Sequence, residues 1–173
     1  MEKIRVFLLN LPTIKAMIQA IGLQKTYIYH MKEQEDHWNP YLSNLVKFAF
    51  AQSKTLSEFL VTVDKAFYVQ LPLDDKYTQI IPYEKLKLYK DIIYSDVYIR
   101  KTFKHLLKVN DIDKKLLESG ESGMYIHFFS NCRTNIFTRT IEDISKIAHV
   151  TPYEFIRTVE AIAYMDIIEN ESA

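Results

Sequence analysis

Glycine is scarce in this chain of 173 residues, which contains only Gly22, Gly120 and Gly123. So few glycines leave no room for a glycine-rich loop that cradles phosphates. We expect each of the three where a turn needs positive φ or where a side chain would clash. Cysteine is scarcer still, because Cys132 stands alone. A single cysteine excludes an intramolecular disulfide framework and a cysteine-based zinc site, and it favours a cytoplasmic protein.

The chain also lacks net charge and long apolar runs. Lys plus Arg and Asp plus Glu both number 22. Zero net charge argues against strong nonspecific binding to polyanions, since dedicated DNA-binding domains are usually basic. No apolar run reaches the ~18 to 20 residues that cross a bilayer, so we expect no membrane partner. The apolar patch near residue 8 is short and no small-residue cleavage site follows it, so we expect no signal peptide.

Residues 13–32, TIKAMIQAIGLQKTYIYHMK, carry the main pattern that is present. They predict two short helices folded across a tight turn at Gly22. The positions that two crossed helices would bury are apolar: Met17, Ile21, Leu23, Ile28 and Met31. The positions on the outward face are mostly polar: Gln24, Lys25, Thr26, Tyr29 and His30. This arrangement is typical of a helix-turn-helix, whose second helix can lie in a DNA major groove.

Helical spacing continues on both sides of this pattern. Residues 3–10 predict a first helix, Pro12 ends it, and Thr13 is a good N-cap for the next one. Two more helices follow, the second capped by Thr55, so residues 1–66 predict a five-helix domain. Residues 67–97 predict a connecting segment with a short β-hairpin and a helix. Residues 98–173 predict a second helical domain, which makes the chain mainly α.

The C-terminal region repeats part of the N-terminal one at a constant spacing of 96 residues, the distance from Leu45 to Ile141. The shared frame is T-x-x-E-F-x-x-T-V, which starts at Thr55 and at Thr151. The apolar positions of the preceding helix stay in phase, since Ile144 matches Phe48. Five identities in nine positions with a matching core pattern favour a duplicated unit.

The two later glycines fit the same duplication. Gly120 and Gly123 precede the second copy much as Gly22 precedes the first. They predict a second bend, followed by a helix that carries Tyr125 and His127 outward and points Ile126 inward. A second, more degenerate helix-turn-helix is therefore expected before residue 141.

These residues resemble the Cro/C1-type helix-turn-helix domain of phage-repressor-like regulators. The turn glycine is Gly22, the inward residue of the second helix is Ile28, and the loop proline is Pro40. The pattern that ends the domain in that family is matched by a longer set of positions: Leu45, Phe48, Ala49, Thr55, Glu58 and Phe59. The second copy is similar but lacks the loop proline, since Ile136 stands there. The resemblance implies two lambda-repressor-like helix-turn-helix bundles.

The resemblance also implies which residues meet double-stranded DNA. Lys25, Thr26, Tyr29 and His30 would read base edges, and Thr13 and Gln24 would meet phosphates near helix starts. The positions expected to meet DNA from the second copy are Tyr125, His127 and Arg133. The implied function is a sequence-specific transcriptional regulator, a repressor of bacterial or phage type. The second copy would read a further half-site, or serve as a dimerisation or partner surface. A homodimer would match a palindromic operator.

The acidic run Glu33, Glu35 and Asp36 favours a different function, because it would repel phosphates where the family often has basic residues. The alternative is a protein-binding module of a mobile element, an antirepressor or inhibitor that reuses the fold. We expect no enzyme, because local spacing suggests no catalytic triad. We also expect no cofactor and no metal, because neither His30 nor His127 has a converging partner.

Overall fold

A computed structural model describes residues 2–34, 37–65, 77, 80–112 and 136–171. The described part of the chain is mainly helical, as the sequence predicts. Its helices are α1 (Glu2–Leu9), α2 (Ile14–Ala20), α3 (Thr26–Glu33), α4 (Leu42–Ala51), α5 (Leu56–Val63), α6 (Tyr83–Leu86), α7 (Lys90–Ile93), α8 (Asp96–Val109), α9 (Thr138–Ile147) and α10 (Pro152–Glu171).

The first five helices occur where the apolar spacing predicts them. Each presents one apolar side to a common core, in which Leu8, Ile18, Met31, Phe48 and Phe59 are almost wholly buried. One detail of the expectation is wrong. The hydroxyl of Thr13 makes no capping hydrogen bond to α2, because the Thr13 backbone (φ −94°, ψ 5°) is not in the extended conformation that an N-cap residue usually adopts.

The long helix α10 holds the rest of the structure together. It packs against α5, α7, α8 and α9. Its first half is buried on most of its sides, as expected of a helix surrounded by others. The buried residues of that half are Tyr153, Phe155, Ile156, Thr158, Val159, Glu160, Ala161, Ile162 and Ala163. One continuous apolar core therefore joins helices from both ends of the sequence.

The duplicated unit has the same local structure in both copies. α4 and α9 each span ten residues, and the bounds of α9 are those of α4 moved by 96 residues. The Oγ1 of Thr55 accepts a hydrogen bond from the Glu58 N–H at 3.2 Å, and the Thr55 N–H donates to the Glu58 carboxylate. Thr151 and Glu154 form the same capping box. The shared frame is therefore a helix-start signal that acts identically twice.

The turn between the two helices of each copy also matches. Ser53 has φ +54° and His149 has φ +57°, again 96 residues apart. The Lys54 N–H bonds to the Ala49 carbonyl at 3.1 Å, and Val150 makes the matching bond at 3.0 Å. This is a Schellman ending, in which a residue with positive φ satisfies the last carbonyls of a helix.

The two copies meet at equivalent residues. Tyr41 and Phe137, themselves 96 residues apart, form an antiparallel bridge, and their rings stack with centroids 4.5 Å apart. The Leu42 N–H donates to the Ile136 carbonyl, and the Thr138 N–H donates to the Pro40 carbonyl. Each bond becomes the other when the copies are exchanged. The Tyr41–Phe137 pair therefore lies on a local pseudo-two-fold axis.

The remaining predictions concern residues 67–97, the second bend and the division of the chain into three parts. The β-hairpin expected within residues 67–82 falls largely outside the described residues, and so does the second bend at Gly120–Gly123. The helix expected over residues 83–94 is two short helices, α6 and α7. The division into three parts at residues 66 and 97 stays a prediction.

Candidate nucleic-acid interface

Helix α3 separates a buried side from an exposed one. Met31 is fully buried, and Tyr27 and Ile28 are partly buried against the core. The Tyr27 ring lies 6.1 Å from that of Phe48, and burial raises the pKa of the Tyr27 hydroxyl to about 12. Tyr27 is therefore a packing residue, and it is not available to stack on a nucleic-acid base.

The opposite side of α3 faces solvent. Gln24, Lys25, Thr26, Tyr29 and His30 are all exposed, as the spacing predicts. Tyr29 is the most prominent of the apolar-bodied side chains there, with 64% of its surface accessible. The hydroxyl of Thr26 donates to the Gln24 side chain at 3.4 Å. A compact group of hydrogen-bonding side chains thus covers the first turn and the outer face of α3.

The turn before α3 has the conformation that its glycine predicts. Gly22 has φ +74°, which L-residues rarely adopt. The Leu23 N–H bonds to the Ile18 carbonyl at 3.0 Å, and the Gly22 N–H bonds to that of Gln19 at 3.2 Å. This Schellman ending stops α2 and reverses the chain into α3.

A buried arginine fixes the other end of α3. Arg5 of α1 donates from Nη1 to the Met31 carbonyl at 3.0 Å, and its remaining nitrogens bind the Glu2 carboxylate at 2.9 and 2.5 Å. The hydrogen bond from Arg5 lowers the pKa of Glu2. Sequence reasoning missed Arg5, although a lone arginine between Ile4 and Val6 on a short amphipathic helix is a usable signal.

The surface formed by α2 and the outer face of α3 carries charges of both signs. Lys15 on α2 and Lys25 and Lys32 at α3 are exposed, and so is Glu33. Glu35 and Asp36 lie outside the described residues. The described part of the surface therefore carries more positive than negative side chains, although the chain as a whole is neutral.

The expected DNA-contacting residues divide into two groups. Those of the first copy are exposed on one continuous segment of the chain, with Thr13 just before α2 and the others at the start and outer face of α3. Those of the second copy lie outside the described residues: Tyr125, His127 and Arg133.

A second polar cluster, which the sequence did not reveal, ties the two copies together. Glu160 of α10 is 2% exposed and reaches the first turn of α5. Its carboxylate accepts from the Ser57 N–H at 3.0 Å, from the Ser57 hydroxyl at 2.6 Å and from the Tyr94 hydroxyl at 2.7 Å. The Tyr94 oxygen in turn accepts from the Leu56 N–H. These contacts satisfy N–H groups that α5 leaves unpaired at its start.

Burial raises the pKa of Glu160 to about 7, because desolvation outweighs the donors from Ser57 and Tyr94 and the nearby Glu58 adds repulsion. Burial also raises the pKa of Tyr94 well above its usual value. A carboxyl inside an otherwise apolar helix stripe is visible in the sequence, but its partners, more than 60 residues away, are not.

Comparison of the chain with protein-family models, with curated proteins and with solved structures gives no match. The phage-repressor-like resemblance therefore stays an expectation from the sequence. None of the helices in the described ranges is long and apolar enough to cross a membrane. Within the same ranges, no three His, Cys, Asp or Glu side chains are grouped so that they could hold a metal ion.

Proposed function

We propose that the protein is a sequence-specific DNA-binding transcriptional regulator whose α3 enters the major groove. One observation carries this proposal. Helix α3 is anchored at Met31 and by Arg5, while the side chains that suit base recognition stand together on its free face. A rigid helix with an exposed hydrogen-bonding face fits a major groove about 12 Å wide.

Each exposed side chain has a role that its chemistry allows. Lys25 would donate to O6 and N7 of guanine, Thr26 would contact a thymine methyl or a hydrogen-bonding partner, and His30 would donate to a base acceptor. Gln24 and Thr13 stand at helix starts, where free N–H groups attract phosphate oxygens. Tyr29, with 64% of its surface accessible, would read a base edge through its hydroxyl.

The pseudo-two-fold axis between Tyr41 and Phe137 supports an arrangement with two half-sites in one chain. Regulators that read palindromic DNA usually obtain their two-fold symmetry from a dimer. A duplicated chain carries that symmetry internally, so one molecule would occupy one operator. By the resemblance, Tyr125, His127 and Arg133 would serve the second half-site.

A protein partner is the second candidate. Exposed Tyr29 beside acidic Glu33 resembles a protein-contact surface, in which aromatic residues are enriched. Zero net charge favours this alternative too. The chain would then be an antirepressor or inhibitor that presents α3 to another protein.

Selection from a random duplex pool, followed by fluorescence anisotropy at several salt concentrations, tests the proposal. We expect a preferred sequence whose affinity falls steeply between about 50 and 200 mM salt, because binding to phosphates releases counterions. We expect Lys25→Glu to weaken that binding by about tenfold or more, since one good base contact alone is worth 1–3 kcal/mol.

Lys104→Glu is the matched control, since it makes the same charge reversal at an exposed position of α8. It should leave DNA affinity nearly unchanged. Absence of duplex binding at low salt would contradict the DNA-binding proposal. Equal losses in the two variants would show that α3 is not the reading helix. Binding ratios from light scattering should give one chain per selected duplex.

A further inference from the structure

A cavity of about 440 Å³ lies where the two copies of the duplicated unit meet. Its walls come from both copies in matching pairs that are 96 residues apart. The pairs are Leu42 with Thr138, Leu45 with Ile141, Leu56 with Pro152 and Leu60 with Ile156. The cavity is therefore astride the pseudo-two-fold axis. Its volume falls within the range of small-molecule sites in proteins, about 300–1,000 Å³.

The interior of the cavity is almost wholly aliphatic. The only polar side chain among the four pairs is Thr138, and its hydroxyl is already bonded to the Pro40 carbonyl at 3.1 Å and to Asn39 at 3.2 Å. Water needs two to four polar partners to be held in a cavity, and these walls offer few. Since a ~150 Å³ apolar cavity accommodates benzene, the present one is large enough for a substituted aromatic ring.

The pseudo-symmetry indicates which kind of group suits the cavity. The Tyr94 hydroxyl accepts from the Leu56 N–H at 3.1 Å and donates to the Glu160 carboxylate at 2.7 Å. When the two copies are exchanged, Leu56 becomes Pro152 and Glu160 becomes Asp64, and both of these residues line the cavity. The cavity therefore contains the place that corresponds to the Tyr94 side chain, an uncharged aromatic ring with one hydroxyl.

Asp64 is the acceptor that this place offers to a hydroxyl. Pro152 has no N–H to match that of Leu56, so the carboxylate is the partner that the exchange retains. A carboxylate has about four acceptor sites. Glu160, at the matching position, accepts three hydrogen bonds at once. The ion pair of Asp64 with Lys3 is therefore compatible with a further hydrogen bond from a ligand hydroxyl.

The charged side chains at the mouth of the cavity give an ionic ligand no advantage. Lys3 pairs with Asp64, and Arg5 donates to both oxygens of Glu2. Glu142 also has an interaction partner. An ion entering the cavity would lose its water and would have to compete for a counter-charge that is already engaged. The mouth therefore favours an uncharged ligand.

We propose that this cavity is a binding site for a small uncharged phenol, whose ring contacts both copies and whose hydroxyl donates to Asp64. Because such a ligand touches both copies, it would stabilise their association across the axis. The site is separate from the α3 surface, so this inference goes beyond the DNA-binding proposal and does not rest on it.

The test titrates p-cresol, the tyrosine side chain as a free molecule, into the unmodified protein. We expect saturable binding in the millimolar range by calorimetry. Methyl NMR should show shifts at Leu60 and Ile156 but not at Leu106 on α8. The ions 4-methylbenzoate and 4-methylbenzylammonium are of similar size, and each should bind at least about tenfold more weakly, because burying a charge without a new partner is costly.

Toluene, which lacks the hydroxyl, tests the role of Asp64. We expect Asp64→Ala to weaken p-cresol binding about fivefold, because one hydrogen bond is lost, and to leave toluene binding unchanged. Asp91→Ala is the matched control, since it removes a carboxylate at an exposed position of α7 that does not line this cavity. It should change neither affinity.

Filling substitutions locate the ring. Leu60→Phe and Ile156→Phe occupy part of the cavity from either copy, and each should weaken p-cresol binding at least about tenfold. Leu107→Phe makes the same kind of change at a buried position of α8 that does not line the cavity. Its affinity for p-cresol should stay close to that of the unmodified protein.

The proposal is overturned if p-cresol shows no saturable binding up to its solubility limit, if the methyl shifts avoid the cavity, or if the affinity survives both filling substitutions. Equal or tighter binding of either ion would overturn the choice of an uncharged ligand. Equal effects of Asp64→Ala on p-cresol and toluene would overturn the assignment of the hydroxyl. If the filled variants do not fold, the methyl shifts and the Asp64→Ala comparison decide the outcome.

Discussion

Helices α5 and α10 begin in the same way and end very differently. Both start with the frame T-x-x-E-F-x-x-T-V and with the same capping box. In both, the second threonine bonds back to the glutamate carbonyl, Thr62 at 2.9 Å and Thr158 at 2.8 Å. Yet α5 ends at Val63 after eight residues, whereas α10 continues for 20 residues to Glu171.

The residues after the frame account for the difference. In α10 the next positions are Glu160 and then Ala161 to Ala163, all buried among α5, α7 and α8. In α5 the next position is Asp64, whose backbone is extended and whose side chain pairs with Lys3. Tertiary burial supplies most of the stability of a helix. A shared start therefore fixes where each helix begins, and the surroundings decide how far it runs.

The strongest way to test that the two starts are equivalent is to remove their shared aromatic residue. Phe59 and Phe155 are both fully buried. We expect Phe59→Ala and Phe155→Ala each to lower the free energy of unfolding by about 3–5 kcal/mol, because each leaves a cavity in the core. Urea denaturation followed by circular dichroism measures both.

A loss of less than about 1 kcal/mol for either substitution would contradict the equivalence of the two helix starts. That result would mean that one copy has become peripheral to the core. Ile168→Ala, at a partly exposed position late in α10, is the control and should cost far less.

Much of this comparison could be read from the sequence. The start of each helix was predictable, because a capping threonine and its glutamate act through local hydrogen bonds. The 96-residue spacing was also readable, since Phe59 and Phe155 keep the core in phase. Gly22 marked its turn, because positive φ leaves few other choices.

The remaining features depend on contacts between distant parts of the chain. The pairing of Tyr41 with Phe137 follows from how the copies dock, which no local pattern encodes. The anchoring of Met31 by Arg5 and the burial of Glu160 against Ser57 are of the same kind. The exposed face of α3 was predicted from periodicity, but its DNA-binding role stays a prediction.

The next test compares Glu160 with Asp64, the acidic residues that follow the frame T-x-x-E-F-x-x-T-V in the two copies. The pKa of Glu160 is raised to about 7 from an ordinary 4.5 by burial. A raised carboxyl pKa means that folding favours the protonated form. The contribution of Glu160 is therefore complete below pH 4.5 and is lost as pH rises through 7.

Raising the pH from 4.5 to above 7 should lower the free energy of unfolding of the wild type, measured relative to Glu160→Gln, by roughly 3 kcal/mol. This figure follows from the shift in the pKa of Glu160 at about 1.4 kcal/mol per pKa unit. Denaturant titrations at several pH values measure it. Asp64→Asn at the matching position should lower stability by no more than about 1 kcal/mol, because its partner Lys3 is 67% exposed and solvent screens the ion pair. Parallel pH curves for wild type and Glu160→Gln would show that the carboxyl stays ionised when buried.

The smallest expected effect concerns the turn that precedes each frame. Ser53 and His149 both have positive φ without being glycine, although an L-residue pays about 1–2 kcal/mol for that conformation. Ser53→Gly and His149→Gly should each raise the free energy of unfolding by about 0.5–1 kcal/mol, since glycine regains part of that cost and loses some to its greater freedom when unfolded.

Thermal and urea unfolding of the two variants, alone and together, would measure these gains. Both side chains are exposed, so removing them leaves no cavity. Gly22→Ala is the reciprocal control, because Gly22 ends α2 with the same Schellman bonds, and nothing lies within 4 Å of the position of an added Cβ. It should lose about 1 kcal/mol through backbone strain alone. A gain at Ser53 without one at His149 would mean that the two turns, alike in φ and hydrogen bonding, differ in how firmly their surroundings hold them.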